Sequence, residues 1–172
     1  MRRTRASLFA GIVAATLVVA AVPAAFAARH TAQGSLASCV RSQLGVRANG
    51  TTGAAGTIHG AWVFTNLSGR SCTLYGYPGM QLYSHAGRPM PTTVKRSLRP
   101  RPTNVTLAPG GSATFFSSYN DVQIGTHPCP TSEVAQITPP NAVDSLFIPA
   151  QLKPCGGIVN VSAVKAGVHH AH

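Results

Sequence analysis

The sequence predicts an all-β chain: an immunoglobulin-like antiparallel β-sandwich with two disulfides, preceded by a signal peptide. Three observations carry that expectation. Short runs rich in β-branched and aromatic residues recur at a spacing of about 8–12 residues, with turn residues between them. No stretch after residue 27 holds a 3.6-residue periodicity, and 17 glycines and 13 prolines in 172 residues interrupt the chain too often for a helical bundle. Four cysteines, an even number, lie downstream of an N-terminal export pattern.

The export pattern comes first in the chain. Arg2, Arg3 and Arg5 give a positive start, Leu8 to Val22 is uncharged and apolar, and Ala25-Phe26-Ala27 is a small-x-small cleavage signal. The apolar run is about 15 residues, short of the roughly 20 that a membrane-spanning helix needs. Residues 1–27 are therefore read as a signal peptide and the protein as secreted, extracellular or associated with the cell envelope, with no transmembrane span after cleavage. Removing the three arginines leaves 11 basic groups against 3 acidic ones, a net of +8 in place of +11. Leu36-Ala37-Ser38-Cys39 spells a lipoprotein cleavage box. An envelope protein acylated at Cys39 is accordingly kept as an alternative. Arg29, His30, Gln33 and Gly34 separate the box from the apolar run, which argues against it.

Residues 28–38, small and polar, are read as a flexible extension. The sandwich domain is expected over 39–165. Its first strand is Gly56 to Asn66, with Ile58, Ala61, Val63 and Phe64 in a partial alternation, closed by the turn Asn66-Leu67-Ser68-Gly69. Cys72 to Tyr75 is a short strand, Gly76-Tyr77-Pro78-Gly79 a turn, and Met80 to Tyr83 the next strand. Pro89, Pro91, Pro100 and Pro102 exclude a continuous helix and a central strand between Arg88 and Pro102. Asn104 to Leu107 alternates and stops at Pro109-Gly110-Gly111. Ser112 to Asn120 is the clearest strand of the second half. Glu133 to Thr138, Ser145 to Ile148 and Ile158 to Val164 complete the set. The lone Trp62 is placed in the core. Residues 166–172, with His169, His170 and His172, are read as a disordered tail.

An exported chain meets oxidising conditions, so Cys39, Cys72, Cys129 and Cys155 are read as disulfides. Four cysteines allow three pairings. Cys39–Cys72 with Cys129–Cys155 is favoured because sequential pairing closes the shorter loops. No Cys-x-x-Cys or His-x-x-x-His spacing supports a metal site, and no metal or cofactor is expected.

The composition narrows the chemistry. Asp121, Glu133 and Asp144 are the only acids, too few for a calcium loop. Asp121 beside a turn reads as a turn acceptor. No Gly-x-Ser-x-Gly occurs, and bridged cysteines offer no thiolate. The chain is expected not to be an enzyme, with a secreted hydrolase using Asp121, Glu133 or Asp144 as the alternative. The most visible surface feature is basic: Arg88, Lys95, Arg96, Arg99 and Arg101 fall within 14 residues that contain no acid. Such a segment suits an anionic cell-envelope polymer, lipid headgroups or extracellular nucleic acid, and otherwise is a solvated loop, while a protein partner would pair with the edge strands. The segment has no interleaved aromatics for base stacking, so no specific nucleic acid is expected. His30, His59, His85 and His127 are read as turn or surface residues. The triplets at Asn49, Asn66, Asn104 and Asn160 spell glycosylation sites but are taken as coincidental.

One resemblance adds to this reading. Gly56 to Met80 reads GTIHGAWVFTNLSGRSCTLYGYPGM. Its Phe-Thr-Asn strand end, Ser-Cys-Thr-Leu and Gly-Tyr-Pro-Gly resemble the actinobacterial domain-of-unknown-function family 4232. Val105 to Ala113, Cys129-Pro130, Pro139-Pro140 and Cys155 fit the same pattern, so the likeness spans about residues 39–164. It implies an exported or lipid-anchored actinobacterial protein with a disulfide-bonded β-sandwich, and no activity or catalytic residue.

Overall fold

The structure, a computed structural model, describes residues 35–172 apart from 98, 124 and 127. The signal peptide expected over 1–27, residues 28–34 of the extension, His30 and His127 lie outside the described residues.

The described residues form strands and short turns, without an α-helix. A six-stranded sheet contains β1 (Leu44–Ala54), β2 (Thr57–Asn66), β7 (Ser112–Asn120), β10 (Ile158–Val161) and β5 (Thr93–Arg96) in that order, with β11 (Lys165–Ala166) beside β7. The remaining strands make two smaller sheets. One pairs β3 (Cys72–Leu74) with β6 (Val105–Leu107). The other orders β4 (Gly79–Tyr83), β8 (Val134–Thr138) and β9 (Leu146–Pro149). All eight strands expected from the sequence are present, Ser112–Asn120 with the expected bounds and the others with ends moved by at most three residues. One feature departs from the expected antiparallel sandwich: the β5–β10 ladder is parallel. No hairpin joins these two strands, so nothing local forces them to run in opposite directions.

Alternation explains the core. On β2 the side chains of Ile58, Trp62 and Phe64 face inward, and on β7 those of Ala113, Phe115, Ser117 and Tyr119 do so. Val159 and Val161 of β10 join them. The small sheets answer with Cys72 and Leu74, Val105 and Leu107, Met80 and Leu82, and Ala135 and Ile137. Phe115 stacks against Phe64 at 5.4 Å and against Trp62 at 6.2 Å between ring centroids. Such aromatic pairs add about 0.5–1.5 kcal/mol each beyond the area they bury. Trp62 lies in the core as expected, and its indole N–H donates to Ser117 Oγ at 2.8 Å, so the one polar atom it buries is satisfied.

Both disulfides join the expected partners, Cys39–Cys72 and Cys129–Cys155, each with a Cα–Cα distance of 4.9 Å. Their sequence separations of 33 and 26 residues give about 3.5 kcal/mol each in the loop-entropy account. The first bridge also corrects one alternative. The sulfur of Cys39 is bonded to Cys72, so it is not available for acylation, and a lipid anchor at Cys39 is incompatible with this fold. Nor are residues 36–38 a loose extension: Thr73 N–H donates to Ala37 O, Cys39 N–H donates to Thr73 O, and Ser38 bridges Thr73 in parallel.

Three segments were not expected as strands. β1 pairs along β2 through a two-residue loop, Ala55-Gly56, in which both residues have positive φ (50° and 76°). That is the turn geometry whose twist suits a hairpin. β5 occupies the sheet edge, where flanking prolines do no harm. The C-terminal segment is the largest difference. It is seated, not disordered: β11 pairs Lys165 with Thr114, Gly167 N–H donates to Ser112 O, and His169 N–H donates to Thr114 Oγ1. Asn49 on β1 holds it from the other side through His169 O at 2.8 Å. The strip it crosses contains Val63 and Thr114, both fully buried although they point away from the core.

Candidate functional site

The outer face of the large sheet, opposite the core, carries a row of polar side chains. The ladder registers align His59 with Ser118, Ser118 with Asn160, and Asn160 with Lys95. One row therefore crosses β2, β7, β10 and β5. The inward packing of Val94, next in sequence to Lys95, places Lys95 on this outer face.

The next outer row contains Phe116, Ser162 and Ser97, and here the sheet is irregular. Val161 pairs with Ser117 and Lys165 with Thr114, so three residues, 162–164, lie opposite the two residues 115–116. This is a bulge between β10 and β11, and bulges re-aim side chains and bend the strand. Ser162 secures it. Its N–H donates to Phe116 O, its Oγ accepts from Phe116 N–H at 2.9 Å, and its Oγ donates to Ala163 O at 2.9 Å.

Below the bulge lies an open groove of about 280 Å³, lined by His59, Ser97, Phe116, Ser118, Asn160 and Ser162. Phe116 supplies an aromatic floor. Asn160 Nδ2 donates to Ser118 O at 3.3 Å, which holds the amide across the strand, and its Oδ1 makes no hydrogen bond among the described residues. Ser97 Oγ donates to Arg99 O at 2.8 Å and fixes the backbone where it leaves the sheet. Among the described residues, the His59 ring and Ser118 Oγ make no hydrogen bond within the chain.

The five basic residues singled out from the sequence do not form one patch. Lys95 faces outward beside Asn160. Arg96, on the opposite side of β5, lies over the Tyr77 ring at 5.6 Å, a cation–π contact. Arg99 and Arg101 are exposed on the segment that follows Ser97. Arg88 sits at the end of the Ser84–Arg88 turn after β4, in a smaller sheet. Register thus places Lys95 alone of the five on the edge beside the groove, Arg99 and Arg101 follow on the exposed segment that leaves that edge, and Arg88 belongs elsewhere.

The three acids sit on different elements. Asp121 follows β7, where its N–H donates to Gly56 O. Glu133 precedes β8, where its N–H donates to Tyr83 O. Asp144 is exposed between β8 and β9. None of their carboxylates takes part in a hydrogen bond among the described residues. No group of three or more His, Cys, Asp or Glu side chains able to hold a metal is found among those residues. One titratable group there is clearly shifted. Burial pushes the Tyr119 phenol above its ordinary value, Asp121 adds to the rise, and a backbone hydrogen bond from Lys153 opposes it.

The sequence reading missed His59, Phe116, Ser118 and Asn160 as a group. One signal was present. Phe115 and Phe116 are adjacent in a strand, so they must face opposite sides of the sheet, and only one can enter the core.

These features define the chain as a disulfide-bonded β-sandwich domain with a polar groove on the outer face of its larger sheet. It belongs to the family described as a domain of unknown function (DUF4232), whose model matches residues 39–165. No curated protein and no solved structure matches the chain.

Proposed function

We propose that this is a non-enzymatic binding module, exported to the cell envelope or extracellular space, that holds an anionic envelope polymer along the edge formed by β5 and the segment after it. The observation that carries the reading is the exposure of Lys95 on the β5 edge and of Arg99 and Arg101 on the segment that follows it, in a chain with only 3 acidic residues. A polyanion is attracted to such an edge from every approach, and few carboxylates compete with it. The lysine and arginine on β5 also protect that edge from pairing with other strands, and this is what the same residues would do in the absence of a ligand. Two disulfides suit an oxidising compartment outside the cytoplasm. No helix of the described residues is long and apolar enough to cross a membrane.

The test is co-sedimentation of the purified protein with isolated cell walls, and with a soluble polyanion, across a salt series. The expected result is binding that weakens several-fold as salt screens the charges, and that is lost in the triple variant K95Q/R99Q/R101Q. R88Q should bind like the parent. Salt-independent binding, or equal binding by the triple variant, would overturn the reading.

A further inference from the structure

We infer that the groove formed by His59, Ser97, Phe116, Ser118, Asn160 and Ser162 is a subsite for one sugar unit bearing an anionic group, a phosphate or a carboxylate. This deepens the proposed function and rests on it, because Lys95 supplies the charge at the groove's border.

Size sets the first limit. About 280 Å³ lies just below the range of roughly 300–1,000 Å³ typical of pockets for drug-sized ligands, so the groove suits one small cyclic unit and not a folded peptide. Its chemistry sets the second. A sugar ring has an apolar face and a rim of hydroxyls. Phe116 offers a ring for the apolar face, and its partial exposure on the side away from the core has no packing role among the core residues. Around it stand groups that both donate and accept: the imidazole of His59, the hydroxyl of Ser118, and the amide of Asn160, whose Oδ1 makes no hydrogen bond among the described residues. Ser97 Oγ, which already donates to Arg99 O, keeps its acceptor capacity. These groups are set by strand register and by the bulge at 162–164, so little ordering is needed when a ligand enters. Charge sets the third limit. Lys95 is in register with Asn160, Arg99 lies two residues after Ser97, and no acid lines the groove. An anionic group on the sugar would gain an attraction to Lys95 that a neutral sugar lacks.

The experiment is a titration of the purified protein, with both disulfides intact, followed by amide and side-chain NMR shifts. The ligands are glucose 1-phosphate, glucuronate, glucose and inorganic phosphate. The expected result is saturable shifts of His59, Phe116, Ser118 and Asn160 with glucose 1-phosphate or glucuronate. Whichever of the two binds tighter identifies the anionic group. Glucose or phosphate alone should bind at least tenfold more weakly. S118L, which fills the groove from the outer face, should raise the Kd at least tenfold while the spectrum stays dispersed, and N160A should do so in part. No shift in this group with either anionic sugar, equal affinity for phosphate alone, or unchanged affinity in both S118L and N160A would overturn the inference. Polymer binding that still depends on Lys95, Arg99 and Arg101 would then leave the proposed function standing and the subsite refuted.

Discussion

Replacing Asn66 should cost this fold more than any other single polar substitution on the strand ends. Asn66 closes β2 and is fully buried. Its Nδ2 donates to Arg70 O at 2.7 Å, to Leu107 O at 3.0 Å and to Ala108 O at 3.3 Å. Its Oδ1 accepts from Ser68 N–H at 3.0 Å and Ser68 Oγ at 2.7 Å. One side chain therefore joins the turn after β2 to the end of β6, while its backbone pairs with Gly110 and Gly111 in the next turn. The amide is the one ordinary side chain here that can donate to a cluster of carbonyls and also accept from a turn. At about 1 kcal/mol for each of the bonds to Arg70 O, Leu107 O and Ser68, Asn66→Ala should lose ~3 kcal/mol. For a domain of this size that is a fall in Tm of about 10 °C. Asn66→Asp sharpens the test, because it turns the donor into a carboxylate facing carbonyl oxygens. Its folded-state pKa should then lie above its unfolded value. The penalty is small below the unfolded pKa and grows as pH rises through the folded one, so this variant should regain stability in acid relative to the parent. Denaturant unfolding of parent and variants with disulfides intact, at acid and neutral pH, reads both effects. A loss under about 0.5 kcal/mol for the alanine variant, or an aspartate variant with the parent's pH dependence, would show that Asn66 does not tie these turns together.

Other outcomes follow from the same structure. Tyr119 should titrate above the ordinary tyrosine range in an ultraviolet pH titration. Because its folded pKa is raised, the parent should lose stability as pH rises through the interval between the unfolded and folded values, and Y119F should not show that loss. Removing the second bridge in C129A/C155A should cost about 3.5 kcal/mol in denaturant unfolding, without exposing the Trp62 core, so the native tryptophan fluorescence should persist. Deleting residues 167–172 should cost about 1–3 kcal/mol, because it strips Thr114 Oγ1 and Asn49 of partners and uncovers Val63. A disordered tail would give no change in Tm.

Much of the fold was legible because its strands alternate and its turns use proline and glycine. Ser112 to Asn120 was bounded correctly from sequence because each inward residue of β7 is apolar, small or hydrogen-bonded to Trp62. β1 was not legible. Leu44 to Ala54 has little apolar content, is mostly exposed and is held along one side by β2, so no periodic burial marks it. Its turn uses Ala55-Gly56 where Asn-Gly would have signalled a hairpin. The tail escaped notice because its seat is made by backbone groups and by Asn49 and Thr114, partners 55 to 120 residues away in sequence. The candidate site was half legible. The charge density between Arg88 and Arg101 could be counted, but only register shows that Lys95 stands beside Asn160 and that Arg96 turns to Tyr77. A count along the chain cannot separate the two faces of a strand until the strand is placed. His59, Ser118 and Asn160 come from three strands, and nothing in their spacing links them.

The proposed ligand-binding surface is the β5 edge with the groove beside it. The most direct measurement is hydrogen exchange of the purified protein with and without bound anionic envelope polymer. Added protection is expected in residues 93–102 and 158–162, with β1 and β9 unchanged. Protection confined to β9 or β1, or no difference at saturating polymer, would contradict it.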